Sequence, residues 1–190
     1  GADDARDRIV DEGVEILNAC FLELFGIFRL INLGKNILEV VEDCLNHEKD
    51  SSEGILNHVK TIIPIYNNEY GIEEPAIWIV QHPITVNGDE NLSQILELKS
   101  TIEFACVEYD PDPKIAEQKA RRLAGNVALA IKNNYRRIQY DKFEDRIIEN
   151  VKFNTLYPVG EIPVEGKMEK IPVAGIVLDF EFSVDWVNYC

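Results

Sequence analysis

Three histidines (His47, His58 and His82), the doublet Glu73-Glu74 and four cysteines are the groups of this sequence whose types could support acid–base, nucleophilic or metal chemistry. A glycosidase mechanism needs two carboxylates flanking one bond, and Glu73-Glu74 before Pro75 offers half of such a pair. In a chain with thirty-four acids, solvated loop charge is by far the simpler account of the doublet. His47 and His58 fall in or beside polar helical stretches and His82 precedes a proline, so His58 and His82 do not form a ligand motif. Cys20, Cys44, Cys106 and Cys190 lie far apart, with no CxxC or Cys/His spacing. That distribution signals neither a zinc site nor a dense disulfide framework and fits a reduced, intracellular setting. P-loop, GxGxxG, GxSxG and HExxH patterns are absent from the sequence. No catalytic, cofactor-binding or metal-binding residue is therefore assigned, and the expectation is a protein that is not an enzyme.

One stretch departs from the overall composition. Nineteen lysines and arginines against thirty-four acids give a formal net charge of −15. A surface of that sign repels phosphate backbones and anionic bilayers, so neither specific nucleic-acid binding nor a membrane is expected. Between Lys114 and Lys142, however, eight basic residues stand against two acids, a local balance of +6 that leaves −21 for the remainder. A solvated helix face would explain this. The functional alternative is a basic surface that meets an acidic one on a neighbouring copy, a heterologous contact of the kind that closes rings. The interface residues expected on that basis are Lys114, Arg121, Arg122, Arg136 and Arg137.

These residues need a scaffold, and 190 residues with 46% hydrophobic content suit one domain over 1–190. A helical N-terminal segment, 1–63, precedes an α+β core, 75–187. Ile9, Ile16, Cys20, Leu24, Phe28 and Ile31 recur at helical steps toward Gly34; Glu23 and Arg29 make this an amphipathic helix and neither a membrane span nor a signal peptide. Ile37, Val41 and Leu45 predict a second helix, and Ile55, Val59, Ile62 and Ile63 a short third one stopped by Pro64. From Ala76 to Val86 the β-branched runs AIWIV and PITV read as strand, with NGDEN as a hairpin turn. Strict alternation marks Leu92 to Tyr109 and Gly175 to Val187 as strands with one wet face, and Ile147 to Leu156 as a further strand. Asp112 as N-cap and Pro113 as first helical residue start a helix running to about Asn133, whose stripe of Ala116, Ala120 and Val127 suits close packing. The segment with Pro158, Gly160, Pro163, Gly166 and Pro172 reads as a loop. The expected fold is α+β: an antiparallel or mixed sheet of about four to five strands, one helix packed on a face, and the N-terminal helical addition. Phe104 and Phe180 should be buried under that helix.

This order of pieces resembles the tail terminator, or tail completion, proteins of long-tailed phages and related proviruses. The resemblance spans roughly Ile55 to Val187 and rests on the strand AIWIV, the hairpin, LELKSTIEFACVEYD running into PDPKIAEQKARRLAGNVALAIKNN, and the closing strands ending GIVLDFEFSVDW. It implies a structural virion protein that assembles with itself as a hexameric ring on the tail-tube protein, stops tube growth and offers a surface to the head-connector protein. It implies a place in the virion, and in the host cytoplasm during assembly, with no cofactor. A ring lumen lined by the excess acid would let DNA pass without sticking. Two other classes remain open: a cellular protein-binding module of α+β fold, and a small hydrolase with an acid pair.

Overall fold

Alternation of period two builds the centre of the fold. The computed structural model describes residues 36–64, 73–87, 95–142, 148–156, 160–163 and 170–185. The helix expected before Gly34, the turn over 88–94 and Trp186 lie outside the described residues. In chain order the elements are α1 (36–50), β1 (Thr61–Pro64), β2 (Ala76–Gln81), β3 (Thr85–Asn87), β4 (Ile95–Val107), α2 (Pro113–Lys142), β5 (Asn150–Leu156), β6 (Gly160–Pro163) and β7 (Lys170–Asp185). The long strands β4 and β7 pair antiparallel over all thirteen residues of β4, from Ile95↔Asp185 to Val107↔Val173.

The sheet order is β1-β2-β4-β7-β5, five strands wide, with β3 extending the β2 edge of β4 and β6 extending the β5 edge of β7. All pairs are antiparallel except β1 with β2, which makes the sheet mixed. Even-numbered residues of β4 and β7, including Ile102, Phe104, Leu178 and Phe180, point into the core. The helix α2 covers that face with Ala116, Ala120, Leu123, Val127 and Ile131. Phe104 and Phe180 are fully buried, as the alternation predicts. On the other face polar residues pair with one another: Thr101 Oγ1 donates to Asp179 Oδ1 at 2.6 Å, and Lys152 Nζ lies 3.0 Å from Glu181 Oε1.

Three local expectations are corrected. The short helix ending at Pro64 is instead a turn over 55–58 followed by β1. Apolar spacing in so short a run fits either period, and Thr-Ile-Ile has the β-branched side chains that pack on a pleated surface. The helix α2 does not stop near Asn133 but continues to Lys142. Asn134, Tyr135 and Ile138 extend its buried stripe, and the Asn134 amide is satisfied by the Ala130 carbonyl at 2.8 Å and Glu48 Oε1 at 2.9 Å. The proline- and glycine-containing loop is partly strand: β6 pairs with the start of β7 from Gly160↔Val173 to Pro163↔Lys170.

Side-chain caps and clamps fix the helices. Asp112 Oδ1 accepts from the Lys114 amide at 2.9 Å and the Asp112 carbonyl accepts from Ala116 at 3.0 Å, the N-cap arrangement predicted for this aspartate. At the far end, Gln139 donates to the Ile148 carbonyl at 3.1 Å and accepts from the Ile148 amide at 2.9 Å, with both residues buried. The sheet edges are irregular. Between Gln81↔Ile102 and Thr85↔Lys99, four steps on the edge face three on β4, leaving one extra residue beside Pro83. The β5 register likewise shifts between Phe153 and Thr155.

Candidate interaction surface on α2

A thirty-residue helix repeats its outward face every three to four residues, so spacing decides which of the basic residues share a surface. Lys114, Arg121, Lys132 and Arg136 fall at steps of seven, eleven and four and form one exposed ridge. Arg122 is exposed on its shoulder. Arg137 is also solvent-accessible but turned the other way: its guanidinium donates to His47 Nε2 of α1 at 2.9 Å and to Asn134 Oδ1 at 3.1 Å. Of the five expected interface residues, Lys114, Arg121 and Arg136 are therefore brought together, Arg122 is beside them, and Arg137 helps to hold α1. Lys132 belongs to the ridge although the charge count alone did not single it out.

Neutralisation along this ridge is incomplete. Arg121 meets Glu117 at 2.7 Å, an exposed i,i+4 pair worth about 0.3–0.5 kcal/mol. Arg136 sits 5.7 Å from the centroid of the Tyr135 ring and donates to its hydroxyl at 3.1 Å. Neither Lys132 nor Arg136 has an anionic partner among the described residues. By contrast the wet face of the sheet is internally paired, since Asp179 also accepts from Asn154 at 3.0 and 3.2 Å and His82 lies 3.4 Å from Glu103.

Between the ridge and β5 runs an open groove of about 670 Å³. Ala128, Tyr135, Val151 and Leu178 line it, and the exposed side chains of Leu129 and Phe153 flank it. Phe153 is 67% exposed, as is Leu156 at 69%, although both occupy positions opposite core residues of β7. The helix is too narrow to reach over the outermost strand. No protein-family model and no curated protein matches this chain.

Gly125 also lines the groove, at an outward position in the middle of α2, and a Cβ built there would meet nothing within 4 Å among the described residues. A glycine in a helix interior costs about 0.5–1 kcal/mol relative to alanine, and no crowding among the described residues requires this one. Its signal in the sequence is a lone glycine inside RRLAGNVALA.

A second cluster ties the turn after α1 to the junction of β4 and α2. His58 Nε2 lies 3.5 Å from Glu108 Oε1, whose side chain is 8% exposed, and Lys119 Nζ lies 2.8 Å from Asp110 Oδ2. Burial pushes the Glu108 carboxyl above its ordinary range, against the pull of His58 and Lys119. The hydrogen bond from Lys119 draws Asp110 down. These contacts fasten the corner, and among the described residues no three His, Cys, Asp or Glu side chains gather as a metal site would require.

Proposed function

We propose that this chain is the ring-forming subunit that caps the tail tube of a long-tailed phage or provirus and joins it to the head connector. The observation that carries the reading is the cationic ridge of α2. In a protein of net charge −15, the surplus positive charge is gathered on one exposed helical face beside an unfilled apolar groove. A surface that is basic and apolar at once suits contact with the acidic remainder of another copy. The α+β fold and its order of elements suit the resemblance noted in the sequence.

The reading is tested by static light scattering of the full chain at high concentration, together with a pull-down against the tail-tube protein encoded beside it. Retention of the tube protein and a mass of several subunits are expected. Arg121→Glu with Arg122→Glu should weaken assembly while leaving the helical signal intact. A monomer that does not bind the tube protein would refute the reading and favour a protein-binding module of another class.

A further inference from the structure

We infer that the cationic ridge of α2 docks on the acidic outer flank of α1 in a second copy of this chain. This rests on the ring-forming reading and specifies its contact. Between Glu39 and Glu53 six acids stand against one lysine, Lys49, the densest run of negative charge among the described residues. Ile37, Val41, Cys44 and Leu45 turn one face of α1 into the core. Glu39, Glu42, Asn46 and Asp50 recur at steps of three and four on the opposite face, with Glu53 in the turn beyond. Glu48 points instead toward α2, where it accepts from the Asn134 amide at 2.9 Å. Arg137 of α2 also lies against this helix, through His47, and six acids against Lys49 and Arg137 still leave −4. Other acidic places offer less: on the sheet Glu103 and Glu181 are paired with His82 and Lys152, and at the corner of β4 and α2 Lys114 and Lys119 offset Asp110 and Asp112.

The two surfaces match in sign and in length. Glu39 to Asp50 and Arg121 to Lys132 each cover eleven steps of helix, about 16 Å. Lys132 and Arg136 lack anionic partners among the described residues, so carboxylates from another copy would meet uncompensated charge. A copy cannot lay its own α1 on its own ridge. Asn134 and Arg137 hold α1 against one flank of α2, whereas Lys132 and Arg136 face Val151 and Phe153 of β5 across the groove on the other. The contact therefore joins unlike surfaces of two copies, and repeating it generates a closed ring or an open helix according to the rotation. Each exposed pair contributes little, so the contact depends on several of them acting along the ridge together.

The test has two arms, both on the full chain. Zero-length carbodiimide coupling joins a carboxylate to an amine only where the two touch. In an equal mixture of nitrogen-15-labelled and unlabelled copies at low salt, peptide mass mapping should give mixed-isotope links from Lys132 to Glu39, Glu42, Asp50 or Glu53, fewer at high salt. This arm needs no substitution, so it decides even where a reversed chain folds poorly. In the second arm, Arg121→Glu with Lys132→Glu in one chain, and Glu39→Lys with Asp50→Lys in another, should each weaken self-association by about tenfold or more in light scattering, because like charges then face each other. Mixing the two reversed chains should restore association, since the new glutamates meet the new lysines and the native ridge of one chain meets the native acids of the other. Links that map elsewhere, links confined to one copy, or a mixture that associates no better than its components would each overturn the contact. If that happens while the parent chain still oligomerises and retains the tube protein, the ring reading survives and this contact does not. Failure of links, oligomer and tube binding together sinks both.

Discussion

Gln139→Leu is expected to be among the costliest single polar substitutions in this protein. Gln139 has no exposure to solvent and closes a two-bond ring with the backbone of Ile148, so it fastens the end of α2 to the start of the path into β5. Leucine nearly matches it in volume but offers neither donor nor acceptor. The Ile148 amide and carbonyl would then be buried without these partners, each at about 1–3 kcal/mol, with part recovered through the leucine's apolar burial, for a net loss of about 2–4 kcal/mol. Against a total stability of about 5–15 kcal/mol that is a large fraction. Urea unfolding followed by far-ultraviolet circular dichroism should show a lower midpoint at unchanged slope, and amide exchange at Ile148 should accelerate. A loss below about 0.5 kcal/mol, or unaltered protection at Ile148, would refute the argument that this clamp holds the two elements together.

Phe180→Ala, which empties a fully buried site, should cost about 3–5 kcal/mol, whereas Asp112→Ala, which removes one cap, should cost about 1 kcal/mol; equilibrium unfolding of the pair checks the order, and the reverse order would refute it. Glu108 has a folded-state pKa raised by burial, so its neutral form is favoured in the native state. Its contribution is fully present below the ordinary value of 4.5 and is lost as pH rises through the raised value. Glu108→Gln should therefore gain stability relative to the parent between pH 4 and pH 8, measured as the difference in urea midpoints; a difference that shrinks with pH would contradict this. Cys44 and Cys106 are buried, and burial pushes the Cys44 thiol to about 12 and raises Cys106 as well. Iodoacetamide at pH 8 should leave both unmodified in the native protein and label both in urea, as read by peptide mass mapping.

The parts of the fold legible in the sequence were those with one unbroken period. The alternation through LELKSTIEFAC and IVLDFEFSV gave the two central strands, their buried face and the burial of Phe104 and Phe180, because a face that packs against a helix must be apolar at every second residue. The Asp112-Pro113 start of α2 was equally legible, since cap chemistry is local. Its end was not. Asn133-Asn134 resembles a breaker, yet the Asn134 amide finds the Ala130 carbonyl within α2 and Glu48 on another helix, and the helix runs through. The four residues of β1 fit a helical period as well, because their strand identity depends on pairing with β2, a contact that four residues cannot announce. The ridge followed from charge and spacing, but the groove beside it did not. Phe153 and Leu156 lie opposite core residues of β7, and only the position of β5 at the border of the sheet leaves them uncovered.

The irregular borders of the sheet have a consequence for how copies of this chain can stick together at all. On one side β1 has four residues and closes on Pro64, which has no amide hydrogen to offer; on the other, β5 loses step with its neighbour at Asn154. A newcomer strand finds poor purchase on either border, so the ladder-by-ladder accretion that leads to fibres is disfavoured along both. The contact proposed between copies must then run through side chains, whose charged pairs weaken as salt is added.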